Sequence, residues 1–354
     1  MEQTEQLQKL QQAIASLEAQ TFKIFILTQD TKGVQRASVI TNYRLVKVLT
    51  DLGYEACILH EKKDYQGVSE WLGEEYSQLP HACIEEGNLQ VGAQDLVIVP
   101  EVFGHVLEQT KEMPCARAVL CQSYDYIFET LQPGQSWPLF NVNKVLTTSD
   151  ESMNHIKSLF PGMDVSTFRL SIPDYFKADE KPKKPIIAIH TRDPRDTAKI
   201  VKTFYVKYPQ YRWITFRDMR GLKREDFAEA LGESCLSVWV DDISGLGTFP
   251  LESMKCGTPV IGKIPNMKPG WMEEKNGFWT YELNQMVDIT SSYFKNWLED
   301  SIPQELYDAM EETHTQYSEE NETEDIKNFI EEYANLRKEG LAQNLDKFTQ
   351  PQNA

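Results

Sequence analysis

The residues best suited to chemistry lie in one run, from Ser244 to Ile261, which reads SGLGTFPLESMKCGTPVI. An apolar strand is expected just before it, over 236–240. Gly245 and Gly247 let the backbone turn tightly and bring its amides close to a ligand. Thr248 is expected to cap the helix that follows, and Pro250 falls in the first turn, where a missing N–H costs little. Glu252 stands on the same helix; Gly257 ends it, and the chain returns as a strand over 258–262. A helix start opened by glycines suits an anion, because its N–H groups and dipole both favour negative charge. The run is not a dinucleotide fingerprint: the third glycine of GxGxxG is Pro250, and 267–271 (MKPGW) lacks the expected acidic residue. His190 ends the apolar run IIAIH, where a strand would deliver it to a ligand crevice. Asp193 and Pro194 read as an N-cap and first helical residue, and Asp241 and Asp242 as a turn pair.

These residues need a scaffold, and the chain supplies an alternation of short apolar runs and amphipathic stretches. Strands are expected over 22–28, 55–59, 95–100, 116–121 and 144–148, with a helix over 36–51. A second series gives strands over 186–190, 211–216, 236–240, 258–262 and 277–281. Strand–helix alternation predicts parallel sheets covered on both faces. Three prolines and four lysines in 171–185 (SIPDYFKADEKPKKP) suggest a linker. The expected organisation is an N-terminal helix over 1–20, one Rossmann-like domain over 21–170, another over 171–295 and an acidic helical tail over 296–354. Leu7, Leu10, Ile14 and Leu17 form a seam that suits docking or dimerisation. Near the end, Ile326, Phe329, Ile330 and Tyr333 share one helix face, Gly340 is the expected stop, and order is expected to fade after about 341.

Of the net charge of −18, residues 299–332 carry −12, from thirteen acidic side chains and one basic. Such a chain is poorly suited to bind nucleic acid or an anionic membrane by bulk charge. No apolar run reaches the length of about 18 residues that a membrane span needs, and the start, MEQTEQLQKLQQ, has no secretory h-region. A cytoplasmic location is expected. The six cysteines form no C-x-x-C pair and read as free buried thiols, and the histidines keep no zinc spacing.

The run 244–261 resembles the donor-binding segment of retaining, family-4-like nucleotide-sugar glycosyltransferases of the GT-B fold, which has the form E-G-F-G-x-x-x-L-E-A-M-A-C-G-T-P-V-I. Gly245, Gly247, Leu251, Glu252, Met254, Cys256, Gly257, Thr258, Pro259, Val260 and Ile261 match in order without a gap. The resemblance implies an α/β fold of two Rossmann-like domains facing a cleft, and sugar transfer with retention from a nucleotide-sugar to a glycan or other hydroxyl acceptor. It implies no other cofactor and no metal. It gives Glu252 the ribose hydroxyls, and Arg192 and Lys199 the donor diphosphate. These three form the catalytic set. Ser244, Gly245, Gly247, Thr248 and His190 complete the donor side, with Ser244 standing where the family has a glutamate. On the acceptor side the resemblance points to the loop at Gly33 and to Tyr124 and Asp125, joined by His105. Two other readings stay open: a non-catalytic member that binds nucleotide or glycan, and an epimerase acting on the donor alone.

Overall fold

The computed structural model describes residues 2–34, 36–178 and 182–349. The chain divides into two compact units, one of Met1–Thr147, His155–Phe168 and Thr323–Ala354, the other of Thr148–Asn154 and Arg169–Glu322.

The first unit opens with helix α1 (Glu2–Glu18). Then come β1 (Lys23–Leu27), α2 (Ala37–Asp51), β2 (Glu55–His60), α3 (Ser69–Leu72), β3 (His81–Cys83), β4 (Leu96–Pro100) and α4 (Gly104–Gln109). The series continues with β5 (Ala116–Cys121), α5 (Asp125–Thr130), β6 (Lys144–Thr147), α6 (Asp150–Leu159) and β7 (Asp164–Thr167). All seven strands are parallel, in the order β3-β2-β1-β4-β5-β6-β7. Ile24, Ile26, Leu96, Ile98, Val119 and Leu120 are fully buried, as expected for strands covered on both faces.

The second unit holds β8 (Lys184–Thr191), α7 (Pro194–Lys207), β9 (Thr215–Asp218), α8 (Arg224–Glu233), β10 (Ser234–Val240) and α9 (Thr248–Lys255). It closes with β11 (Val260–Lys263), β12 (Phe278–Thr280), α10 (Leu283–Leu298) and α11 (Gln304–His314). Its parallel order is β12-β11-β10-β8-β9. Ile187, Ile189, Leu236 and Val238 meet Phe204 of α7 and Phe294 of α10 in one core. Each such side chain contributes roughly 1.5–3 kcal/mol by leaving water. In each sheet the strand order reverses once, between β1 and β4 and between β8 and β10. Open parallel sheets bind ligands at the carboxyl ends of strands at such a reversal.

Helix α12 (Glu319–Thr349) belongs to the first unit for most of its length. Ile326, Phe329, Ile330 and Tyr333 are all buried, the face read from the sequence. Tyr333 donates to the carbonyls of Gln94 and Asp95, at 2.9 and 3.1 Å, and Glu332 pairs with Lys144 at 2.9 Å. These contacts lie at the starts of β4 and β6, the sheet edge opposite to the strand carboxyl ends. Gly340 does not end the helix: Leu341 is buried beyond it and the winding continues to Thr349. Residues 350–354 lie outside the described residues.

The segment 171–185 is not a loose linker, although 179–181 lie outside the described residues. Ile172 and Phe176 are buried, and Lys183 donates to the carbonyls of Gly232 and Cys256 and to Thr258 Oγ1. On α1, Ala13 and Leu17 are buried while Leu7, Leu10 and Ile14 are half-buried.

Candidate functional site

β8 and β10 run side by side, with Trp239 opposite His190 and Val240 opposite Thr191. Their carboxyl ends therefore deliver His190, Arg192, Asp241 and the 244–248 loop to one place, the reversal point of the second sheet. Arg192 extends the pairing by donating its N–H to the Val240 carbonyl at 2.9 Å, and its Nε donates to Asp241 Oδ1 at 2.7 Å. Its side chain is half-exposed. Asp242 pairs instead with Lys263, at 2.7 Å. Each aspartate of the turn pair thus answers one cation. Among the described residues no three His, Cys, Asp or Glu side chains gather as a metal site would need.

His190 stacks on Phe249, the second residue of α9, with ring centroids 5.1 Å apart and planes 22° apart. Its Nδ1 is out of contact with solvent and has no hydrogen-bond partner among the described residues. Burial pushes its pKa below the usual histidine value, against the pull of Asp241 and Asp218. The ring ties the end of β8 to the start of α9.

The entry to α9 differs from the expectation in one respect. Thr248 is the first helical residue and not the cap. Gly247 holds the cap position with φ +75°, and no side chain caps the helix. Ser244 Oγ accepts the Gly247 N–H at 3.0 Å. The N–H groups of Thr248 and Phe249 have no partner within the helix, and Pro250 has none to offer. An L side chain at Gly247 is strained by its φ, and a Cβ there would lie 3.1 Å from Trp271 and 3.3 Å from Trp239. Glycine is needed here for both reasons. Glu252, one turn into α9, is half-buried.

Lys199 stands on α7. It pairs with Asp196 at 3.0 Å and lines a hollow of about 390 Å³ with Lys263, Tyr281 and the start of α10. Asp193 is the N-cap of α7 as read from the sequence, accepting the Arg195 N–H at 2.8 Å with Pro194 behind it.

In the first unit, Gly33, His105 and Tyr124 follow β1, β4 and β5, three neighbouring strands, at their carboxyl ends. Gly33 has φ +75° in a turn closed by the Val34 N–H to Thr31 carbonyl bond, 3.0 Å. His105 is exposed on α4. Tyr124 packs edge-on against Phe128, at 5.1 Å, and Asp125 starts α5. The sequence reading passed over Glu101, which follows β4 directly. It is 2% exposed, and its Oε1 accepts the Ser123 N–H at 2.9 Å. Burial pushes its pKa up to about 7, against the lowering by the Ser123 N–H and neighbouring backbone. A carboxylate closing the apolar run DLVIVP was the available signal. Trp271 was passed over as well, and nothing near it in sequence marks its place.

No protein-family model matches the chain. An "Alpha-1,6-glucosyltransferase" of Actinobacillus pleuropneumoniae serotype 7 (strain AP76) is 24% identical over 221 residues, 61% of this chain. The match spans 66% of that relative's length. Among solved structures, Anabaena Alr3699/HepE in complex with UDP and glucose superposes with a TM-score of 0.63 at 13% identity, covering 89% of this chain and 100% of that one. Sucrose-phosphate synthase from Thermosynechococcus elongatus gives a TM-score of 0.55 at 11% identity, over 92% and 99%. The fold is thus α/β with two Rossmann-like, parallel-sheet domains, the GT-B type.

Proposed function

We propose that this chain is a glycosyltransferase that moves a sugar, with retention and without a metal, from a nucleotide-sugar to a hydroxyl acceptor. The observation that carries the reading is the start of α9. A glycine turn after β10 presents the Thr248 and Phe249 N–H groups at the reversal point of the sheet, with Arg192 on the adjacent strand end and Glu252 one turn on. That arrangement suits a nucleoside diphosphate, with the phosphates at the helix start and the ribose hydroxyls on the Glu252 carboxylate. The glucosyltransferase relative and the UDP-bound structural neighbour support the same ligand class.

In the reaction, the bond from the anomeric carbon to the diphosphate oxygen breaks, and the acceptor oxygen bonds to that carbon. The acceptor proton passes to the departing phosphate. Negative charge grows on the diphosphate, and Arg192 with the α9 start stabilises it, the electrostatic task a metal performs in other transferases. Lys199 is a weaker candidate for this role, since it faces α10 and pairs with Asp196. The acceptor is assigned to the loops at Gly33, His105, Tyr124 and Asp125.

The test is Glu252→Gln, read by calorimetry with UDP, GDP and ADP. Hydrogen bonds to a charged group contribute about 1.5–3 kcal/mol, so binding should weaken about tenfold or more, with the thermal midpoint kept. Unchanged affinity refutes the ribose assignment. A second reading, a nucleotide-binding protein without turnover, draws on Ser244, whose hydroxyl is engaged within the turn. Turnover of a nucleotide-sugar in the presence of an acceptor extract separates the two.

A further inference from the structure

We infer that Trp271 and Ser244 together clamp the peptide between Leu246 and Gly247 and so set the aim of the α9 amides. The functional part of this inference rests on the donor-site reading above.

A trans peptide unit carries its C=O and N–H on opposite sides, so fixing both ends fixes the plane. Here both ends are held. The Trp271 indole Nε1 donates to the Leu246 carbonyl at 2.7 Å, and the Gly247 N–H donates to Ser244 Oγ at 3.0 Å. Turns built on glycine can flip this unit, because glycine tolerates φ of either sign. A flip would break both bonds, since the indole N–H cannot accept, and change φ at Gly247, the cap of α9. The Thr248 and Phe249 N–H groups would then point elsewhere.

Trp271 can act as a fixed arm because its own loop is held. Asn276, 1% exposed, donates to the Trp271 carbonyl at 2.5 Å and to Thr313 Oγ1 of α11 at 2.9 Å. Its Oδ1 accepts the Glu273 N–H at 3.1 Å. Trp279 meets the Trp271 ring edge-on at 5.6 Å. The buried Trp239 also lies beside Gly247, 3.3 Å from where its Cβ would be. Ser244 takes the place of the family glutamate, and its short hydroxyl suits this local bond. Both are therefore positioning residues: they act on the ligand through the 246–247 peptide.

The experiment is amide hydrogen exchange, by mass spectrometry, on the 244–251 peptide of the ligand-free protein. Wild type is compared with Trp271→Phe, which keeps a ring but loses the N–H, with Ser244→Ala, and with Ser244→Thr, which restores a hydroxyl. Loss of one neutral hydrogen bond should raise exchange roughly fivefold in Trp271→Phe and Ser244→Ala, with Ser244→Thr near wild type. Wild-type exchange in both overturns the clamp, whatever nucleotides do. UDP and GDP titrations give the second readout: Kd should rise roughly fivefold in each single variant. The double variant should lose less than the product of the two, since both bonds hold one peptide. Wild-type Kd in both single variants, or strict additivity, overturns the clamp. A wild type that binds no nucleoside diphosphate defeats the donor reading instead, while the exchange result still decides the clamp.

Discussion

Gly247 and Gly257 bracket α9, and substituting alanine at each makes a matched pair. Both have left-handed backbone, with φ +75° and +63°. An L residue there costs roughly 1–2 kcal/mol at either position. The surroundings differ. Among the described residues a Cβ at Gly257 would meet only the Ala178 methyl, at 3.4 Å, which is ordinary contact. A Cβ at Gly247 would sit 3.1 Å from Trp271 and 3.3 Å from Trp239, so an indole must shift. Crowding of this kind adds roughly 1–3 kcal/mol. Gly257→Ala should therefore lower unfolding free energy by about 1–2 kcal/mol, and Gly247→Ala by about 2–5 kcal/mol. The functional contrast is sharper. Gly247→Ala displaces the amides at the start of α9 and should weaken UDP binding at least about tenfold, whereas Gly257→Ala, at the far end of the helix, should leave it within about twofold. Urea unfolding and calorimetric titration of both variants check this. Equal losses of UDP affinity at the two positions would refute the assignment of the α9 start as the phosphate site.

Three further outcomes are expected. Sugar transfer and UDP binding should survive EDTA; loss restored by manganese or magnesium would return Asp241 and Asp242 to consideration as ligands. Glu101 has a folded pKa of about 7, raised by burial above its value of 4.5. Its contribution to stability is full below pH 4.5 and is lost as pH rises through 7, a change of about 3 kcal/mol. Glu101→Gln should gain on wild type by that order between pH 5 and 8, and a pH-independent difference in urea unfolding refutes the shift. Removing the chain from residue 319 onward strips the buried Ile326, Phe329, Ile330 and Tyr333 from the first unit and should lower its thermal midpoint; an unchanged midpoint means that α12 is not part of the core.

The fold was legible where burial leaves a continuous signal. LVIVP of β4 and SCLSVWV of β10 are buried at every position, and such runs announce themselves. The strands that escaped, β3 and β7, are the two edges of the first sheet, three and four residues long and buried on fewer positions. The expected strand over 211–216 starts only at Thr215, because Pro209–Tyr211 winds as a 3₁₀ turn. Gly340 misled because glycine in a helix costs only about 1 kcal/mol, less than the burial of Leu341 beyond it contributes.

The candidate site divides along the same physical line. Residues whose place depends on near neighbours, such as Gly247, Pro250 and Asp193, were readable from spacing, since turns and caps are made within a few residues. Residues whose role depends on distant partners were not. Glu101 answers an N–H 22 residues away, and Trp271 answers a carbonyl 25 residues away. Neither separation has a period that a helix or strand would print on the sequence. The consequence concerns Ser244. Compared position by position with the family pattern, it is a lost glutamate. Placed beside the Gly247 N–H, it holds one end of a peptide whose other end Trp271 holds. A substitution that looks like decay in one dimension is thus a bonded group in three.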